Sequence, residues 1–261
     1  MHLPSSIHKI IGDRAYTVDT VGMSGSQVIC FEDMVLKMQP RDEEAEHELQ
    51  MMSWLADRLS VPKIICAETM DDTSYLLMSR LGGSMACSSE FLENPKLLVR
   101  LLAEGLQMLW KVDVASCPLQ HSIDEKLMLA ERRVFQNLCN IEDAEPDTYG
   151  DGGFASPRDL LGWLKQNKPN EELVFSHGDF CLPNVFLKRH TIGGFIDLGR
   201  SGVGGRYQDI ALCYRSLKHN YDGRYGGKKY PGFHPDLLFD ELSIVPDWGL
   251  IEYYILLDEL F

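Results

Sequence analysis

The pattern of apolar residues changes at residues 80–83 (Arg-Leu-Gly-Gly), and this change constrains the fold more than any other feature of the chain. Before it, short apolar runs rich in β-branched residues are separated by glycine and predict strands. After it, apolar residues recur at helical spacing behind capping residues. The sequence therefore predicts an α+β protein with a small β-rich lobe, 1–80, and a larger, mostly helical lobe, 81–261.

The first lobe is expected to contain five strands and one helix. The helix has apolar residues at helical spacing from Ala45 to Leu59 and acidic residues in its first turns, and Pro62 ends it. The segment Ile7–Ile11 fits either a helix or a strand. The predicted strands are Tyr16–Val21, Gln27–Phe31, Met34–Met38, Lys63–Ala67 and Ser74–Ser79.

In the second lobe, Asn94 and Pro95 mark the start of a helix, because proline suits the first helical position. The segment Asp143–Gly153 is rich in Asp, Glu, Gly and Pro and predicts a loop. The other predicted helices are Ser122–Cys139, Pro157–Lys168 and Pro246–Phe261, and the predicted strands are Val174–Phe175, Val185–Leu187 and Gly194–Ile196.

Composition and charge limit the partners. The chain has 25 basic and 39 acidic residues and a formal charge of -14, which disfavours nucleic acid and anionic membranes and favours a cationic ligand. No apolar run approaches the roughly 20 residues of a membrane span, and the start lacks the pattern of a secretory signal. Seven cysteines without a Cys-x-x-Cys pair indicate reduced thiols. We expect a cytoplasmic protein, either a monomer or a homodimer.

The chemistry is concentrated in residues 177–184 (His-Gly-Asp-Phe-Cys-Leu-Pro-Asn) and 195–200 (Phe-Ile-Asp-Leu-Gly-Arg). Phosphoryl transfer needs a carboxylate that orients the attacking hydroxyl, together with amide and carboxylate oxygens that hold Mg²⁺ against the nucleotide phosphates. Asp179 and Asn184 have the spacing of the protein-kinase catalytic loop, and Asp197 stands where the metal-binding Asp-Phe-Gly aspartate would be. These segments predict a kinase.

The sequence resembles the aminoglycoside phosphotransferase family, and within it the aminoglycoside 3′-phosphotransferases, along most of its length. The C-terminal segment 246–261 is an especially specific match. The resemblance implies a two-lobed protein-kinase-like fold with a cleft, ATP and Mg²⁺ as cofactors, and a cationic aminoglycoside such as kanamycin or neomycin as substrate. Other matching segments are Gly22–Ser24, Leu36–Met38, Met51–Leu55, Val61–Lys63, Leu76–Ser79, Glu172–Asp179 and Gly194–Gly202.

The resemblance also assigns roles to individual residues. Asp179 is expected to be the catalytic base, and Asn184 and Asp197 the Mg²⁺ ligands. Lys37 is expected to contact the nucleotide phosphates and Glu48 to pair with it. The helical pattern independently places Glu48 on the inward stripe of its helix.

The nucleotide site is expected to include the phosphate loop, with Met23 and Ser24, and the hinge from Ser79 to Leu81, whose backbone groups receive adenine. Where close relatives have a tyrosine that stacks on adenine, this chain has Val35. The choice between ATP and GTP is therefore left open.

Acidic residues are concentrated where the family binds the ammonium groups of its substrate. Residues 142–151 contain five carboxylates and no base, and the last 32 residues contain seven acids and no Lys or Arg. Arg200 fits either a substrate contact or a structural partner of an acid. The candidate substrate-binding residues are Asp258, Glu259, the terminal carboxylate of Phe261, Glu145, Asp147 and Arg200.

Other functions are less consistent with the sequence than phosphorylation of an aminoglycoside. A small-molecule kinase of the same fold could act on choline, another amino sugar or a metabolite, although the acidic C-terminus disfavours a neutral substrate. A nucleotide-binding pseudokinase is disfavoured because all five catalytic residue types are retained. A metal-dependent hydrolase is disfavoured because no His-Glu-x-x-His segment exists, and the absence of a Walker A sequence excludes a P-loop kinase.

Overall fold

The structure is a computed structural model of the protein and describes residues 3–19, 26–225 and 227–261. Contacts divide the chain into two compact units: Met1–Leu101 with Leu182–Ser201, and Leu102–Cys181 with Gly202–Phe261. Within the described part of the chain, no helix combines the length and apolar character needed to cross a membrane.

The secondary structure follows the order expected from the apolar pattern. The helices are α1 (Ser5–Ile11), α2 (Glu43–Leu55), α3 (Ser89–Leu92), α4 (Pro95–Trp110), α5 (Ile123–Phe135), α6 (Pro157–Gln166), α7 (Arg206–Asp222), α8 (Leu237–Leu242) and α9 (Trp248–Asp258), with a 3₁₀ turn at Leu182–Asn184. The strands are β1 (Thr17–Val18), β2 (Gln27–Cys30), β3 (Met34–Pro40), β4 (Ile64–Met70), β5 (Thr73–Ser79), β6 (Ser84–Met85), β7 (Gln120–His121), β8 (Leu173–Ser176), β9 (Val185–Lys188), β10 (Thr191–Phe195) and β11 (Gly202–Gly205).

The first unit contains an antiparallel sheet with strand order β1-β2-β3-β5-β4. In its centre, Leu36 on β3 pairs with Leu77 on β5, and both side chains are fully buried. Ile7 and Ile11 belong to the same core cluster, so the N-terminal segment is a helix whose apolar side packs on the sheet. Burial of this apolar surface stabilises the unit.

Helix α2 begins where the sequence predicts but ends earlier. The Asp42 carboxylate caps it by accepting a hydrogen bond from the N–H of Ala45 at 2.8 Å. The predicted continuation to Leu59 is wrong, and the helix ends at Leu55. The N–H groups of both Arg58 and Leu59 donate to the Leu55 carbonyl, which tightens the last turn.

The hairpin of β9 and β10 also belongs to the first unit. Strand β6 pairs with the outer edge of β9. Gly83 precedes β6 with a φ of +105°, and a Cβ atom there would lie 2.2 Å from the Leu187 carbonyl oxygen. The approach of the two backbones therefore requires glycine. This pairing joins residues after position 80 to the first unit. The predicted lobe boundary at residue 80 stays a prediction.

In the second unit, helices surround a three-stranded sheet with the order β7-β11-β8. Strand β11 is buried and consists of glycine apart from Val203, so the sequence pattern gave no signal for it. A Cβ atom on Gly205 would lie 1.8 Å from the Tyr254 hydroxyl oxygen. Helix α9 therefore packs directly on the strand backbone, where a larger residue would force it away.

Helices α5 and α9 are shorter than predicted. Asn137 adopts a φ of +55°, and the N–H of Leu138 donates to the Arg133 carbonyl, so α5 ends at Phe135 and not at Cys139. The Asp247 carboxylate accepts from the N–H of Leu250 and caps α9, which therefore begins at Trp248 and not at Pro246.

Candidate active site

Lys37 is the centre of a charged cluster in the first unit. It lies on β3 and is only 8% exposed. Its Nζ atom donates to Glu48 Oε2 and to Asp197 Oδ1, each at 2.8 Å. Burial alone would lower the pKa of the ammonium group, but the two carboxylates outweigh it and raise the pKa. Lys37 therefore carries a positive charge.

Glu48 lies on the buried side of α2, as its helical stripe indicates. It is 2% exposed and shares this side with Ala45, Met51 and Met52. A carboxylate buried to this extent is costly without a partner, and Lys37 is that partner.

The hairpin brings Asn184 and Asp197 together. Asn184 ends the 3₁₀ turn just before β9, and Asp197 follows β10 by two residues. Because antiparallel strands place the start of one beside the end of the other, the N–H of Ile196 donates to the Asn184 carbonyl at 3.0 Å. Asp197 has a φ of +60°, a left-handed conformation that residues other than glycine rarely adopt.

A cavity of about 420 Å³ in the first unit connects these residues. Lys37, Glu48, Asn184 and Asp197 line it together. The carboxylate and amide oxygens of Asp197 and Asn184 are of the hard type that Mg²⁺ prefers. The apolar part of the lining includes Val28, Val35, Pro62, Met78, Leu81, Met85, Phe186 and Ile196. The cavity therefore combines an apolar wall with charged and oxygen-bearing groups.

The predicted hinge lies on the same cavity. Ser79 and Leu81 both line it. The Ser79 N–H donates to the Lys63 carbonyl, and the Lys63 N–H donates to Ser79 Oγ, both at 2.8 Å. Arg80 is held by its N–H, which donates to the Asp33 carbonyl at 3.0 Å. Met23 and Ser24 of the predicted phosphate loop lie outside the described residues.

Arg200 contacts helix α2. Its Nε atom lies 3.4 Å from the Glu44 carboxylate. The preceding Gly199 lies so close that a Cβ atom there would be 2.8 Å from the Glu44 carbonyl oxygen. The segment after Asp197 is thus fixed to α2 by both an ion pair and backbone packing.

Asp179 lies in a braced loop of the second unit. The fully buried Asp209 carboxylate accepts from the N–H groups of His177 and Gly178 at 2.8 and 3.0 Å. Burial raises the pKa of Asp209, although His177 and these hydrogen bonds act in the opposite direction. Gln208 Nε2 donates to the Gly178 carbonyl at 2.8 Å. Two consecutive residues of α7 therefore bind the N–H and the carbonyl of Gly178, and so hold the backbone that carries Asp179.

Two of the predicted C-terminal carboxylates, those of Asp258 and Glu259, face the same internal arginine. Arg215 forms ion pairs with Asp258 and, at 3.6 Å, with Glu259. Burial raises the pKa of Glu259 to about 7, and Arg215 only partly opposes this. The Phe261 ring lies near two cations, with Lys126 Nζ 5.5 Å from its centroid.

The acidic loop Asp143–Gly153 is irregular, as predicted, and two of its candidates differ in environment. Glu145 is half-buried and pairs with His219 and Arg224. Asp147 is exposed and, among the described residues, has no hydrogen-bond or ion-pair partner. Both line a cavity of about 410 Å³ between the loop, α7 and α9.

The sequence analysis did not identify the basic residues of α7 that contact Glu145, Asp258 and Glu259. Arg215 and His219 are four residues apart and therefore share one side of α7. That spacing was the available signal. Gln208 gave no signal, because its role depends on a contact with a distant loop.

The chain is similar to known phosphotransferases along most of its length. The model of the phosphotransferase enzyme family (APH) matches residues 13–237. The chain belongs to this family. An aminoglycoside 3′-phosphotransferase from Enterococcus faecalis is 38% identical over 274 aligned residues, which cover 100% of this chain and 99% of the relative.

Two solved structures of aminoglycoside phosphotransferases share the fold. A 3′-phosphotransferase of type VIII has a TM-score of 0.81 and 24% identity, with 98% of this chain and 97% of that chain covered. A phosphotransferase from Streptomyces rimosus in complex with ADP and streptomycin has a TM-score of 0.78 and 23% identity, with 97% and 95% covered. The predicted family, transferase class and kinase-like α+β fold are confirmed.

Proposed function

We propose that the protein transfers the γ-phosphoryl group of ATP to a hydroxyl group, at the 3′ position, of aminoglycosides such as kanamycin and neomycin, and so confers resistance to them. The observation that carries this proposal is the match to 3′-phosphotransferases across the whole chain, at 38% identity for the Enterococcus faecalis protein. The charged cluster around Lys37 supports it, since phosphoryl transfer depends on positioned charges.

ATP would occupy the cavity of the first unit. Its apolar wall suits a purine ring, and backbone groups of Ser79 and Leu81 at its edge would receive the adenine. Lys37 would contact the phosphates while Glu48 keeps its ammonium group in place. Met23 and Ser24 would complete the phosphate loop. Bound ADP in the Streptomyces rimosus neighbour supports a nucleotide ligand.

Asn184 and Asp197 would hold Mg²⁺. The charged residues among the described lining are three acids and two bases, so they do not neutralise a triphosphate: Asp19, Glu48, Asp197, Lys37 and Arg80. A divalent cation supplies the missing positive charge and, when bound, stabilises negative charge on the phosphate oxygens.

Asp179 would be the catalytic base. Its carboxylate would accept a hydrogen bond from the substrate hydroxyl, orient the oxygen towards phosphorus and take the proton as the new P–O bond forms and the bond to ADP breaks. Asp209 and Gln208 support this role, because they fix the adjoining peptide groups.

The substrate ammonium groups would bind the carboxylates of the second unit. These are Asp258, Glu259, the C-terminus at Phe261, and the acidic loop, in which the candidates are Glu145 and Asp147. Charge-assisted hydrogen bonds between ammonium and carboxylate are stronger than neutral ones. The ion pair with Glu44 favours a structural role for Arg200.

A comparison of kanamycin with its 3′-deoxy counterpart tests the proposal. ADP release in the presence of Mg²⁺ is measured for both compounds at equal concentrations. We expect release only with the compound that has the 3′-hydroxyl. Equal release from both would contradict the position of transfer, and no release from any aminoglycoside of a wider panel would contradict the substrate class.

A further inference from the structure

Both carboxylate oxygens of Glu145 are bound by basic side chains of the protein itself, one a histidine and one an arginine. Oε1 lies 3.1 Å from His219 Nε2, and Oε2 lies 2.8 Å from Arg224 Nη1. The Glu145 side chain is 23% exposed. Burial raises its pKa, but the His219 hydrogen bond and the nearby positive charges outweigh this and lower it. Glu145 is therefore an ionised group, and each of its oxygens already has a partner within the protein.

The backbone around Glu145 is held by the same group of residues. The Glu145 N–H donates to both carboxylate oxygens of Glu259, at 3.3 and 3.2 Å. Arg224 Nη2 donates to the Ala144 carbonyl at 3.2 Å. Side chain and backbone are thus both attached at one point of an otherwise irregular loop.

His219 and Arg224 are themselves fixed by the end of α7. His219 is 4% exposed, and its Nδ1 lies 3.2 Å from the Tyr225 hydroxyl, which orients the ring. Gly223 ends the helix with a φ of +80°, and the Arg224 N–H then donates to the His219 carbonyl at 3.2 Å. This turn places Arg224 beside His219, where both reach Glu145.

We propose that Glu145 anchors the acidic loop and does not itself bind the substrate, and that His219 and Arg224 are positioning residues for aminoglycoside binding. A substrate ammonium group at Glu145 would have to displace His219 and Arg224, which already hold its two oxygens. Asp147 lines the same cavity of about 410 Å³ and is exposed, so the anchor would position this carboxylate for the substrate. The inference refines the proposed function and rests on it.

Arg224→Gln separates the two roles of Glu145 by the sign of its effect. The substitution removes a positive charge near a cationic substrate, so direct binding by Glu145 predicts a lower KM for the aminoglycoside. The anchor predicts a higher KM, because the loop loses an attachment. For one partly exposed ion pair we expect an increase of about two- to fivefold. The kcat and the KM for ATP should not change.

Two further variants are controls. Arg224→Lys retains a cation and should lie between the wild type and Arg224→Gln. Glu142→Gln removes an exposed acid that directly precedes the loop and has no part in the anchor, and in this variant the amides of residues 144–154 should exchange as in the wild type. Hydrogen exchange of the amides of residues 144–154 measures attachment without any substrate, and Arg224→Gln should accelerate it.

The outcomes distinguish this inference from the proposed function. A lower or unchanged aminoglycoside KM in Arg224→Gln, or unchanged exchange in the loop, would overturn the anchor. If the wild type phosphorylates no aminoglycoside, the proposed function fails, and the exchange measurement alone then decides whether the anchor exists.

Discussion

The ammonium group of Lys37 lies 2.8 Å from the Asp197 carboxylate, although 160 positions separate the two residues in the sequence. Glu48 binds the same ammonium group from α2. One lysine therefore connects the central sheet, a helix and the end of the β9–β10 hairpin. The ion pairs of Lys37 therefore join β3, α2 and the end of the β9–β10 hairpin beside the first cavity.

Lys37→Met should destabilise the protein strongly. The substitution leaves Glu48 buried without its partner, and breaking a buried ion pair in this way costs about 3–5 kcal/mol. Denaturant unfolding measures the loss. Lys37→Met combined with Glu48→Leu should recover part of it, because the buried charge is then removed as well. A single variant as stable as the wild type would show that Glu48 does not depend on Lys37.

Asp179→Asn and Asp197→Ala should have different effects. A positioned base contributes about 10²–10⁴-fold to the rate, so we expect Asp179→Asn to lose at least that much kcat while MgATP still binds. Asp197→Ala should also weaken MgATP binding, because it removes a proposed metal ligand. Titration of both variants with MgATP measures this. If Asp179→Asn retains more than about a tenth of the wild-type kcat, Asp179 is not the base.

The sequence predicted the kinds of elements in the fold better than their ends. Apolar runs were sufficient for β3 and β5, whose residues are mostly buried, and helical spacing was sufficient for the buried side of α2. It was insufficient for β11, where glycines are required by neighbouring backbones and side chains. The end of α5 depends on the left-handed conformation of Asn137, which an apolar pattern does not encode.

For the site, sequence patterns identified individual residues, but they did not predict which residues of other elements contact them. The helical stripe predicted that Glu48 faces inward, and the structure places it against Lys37. His219 at Glu145 and Arg215 at Glu259 both lie on α7, and His219 comes more than 70 residues after Glu145 in the sequence. Such pairings depend on how helices pack, and no spacing within one segment predicts them.

Gln208→Met should lower kcat with little loss of stability. Gln208 is 4% exposed, and its Nε2 donates to the Gly178 carbonyl next to Asp179. Among the described residues, its Oε1 has no hydrogen-bond partner, so methionine removes an unsatisfied acceptor as well as a donor. We expect kcat to fall about tenfold, equivalent to about 1.4 kcal/mol, as the loop loses a contact.

Leu212→Ala is the matched control on the same helix. It lies one turn after Gln208, is buried and makes a cavity when truncated, so it should lower the melting temperature more than Gln208→Met does. Its kcat should remain near the wild-type value, because it does not contact the loop backbone through a hydrogen bond. Equal loss of kcat in both variants would mean that general destabilisation explains the effect.

Glu259 should make the stability of the protein depend on pH. Its pKa is raised from 4.5 to about 7, mainly by burial and in part by Asp258 and Glu145. Between these pH values the folded state binds more protons than the unfolded state, so stability is greatest at the acidic end and falls as pH rises through about 7. A pKa shift of this size changes the free energy of unfolding by at most about 3 kcal/mol across this pH range.

Glu259→Gln removes this titration and keeps the size of the side chain. As pH rises from 5 to 8, the free energy of unfolding of the wild type should therefore fall relative to that of the variant. Glu252→Gln changes the same charge at an exposed position of α9 and serves as the matched control, whose difference from the wild type should be nearly constant. Denaturant unfolding at several pH values gives the three curves. Parallel curves for the wild type and Glu259→Gln would mean that Arg215 keeps Glu259 ionised throughout, and that the ion pair outweighs burial at this carboxylate.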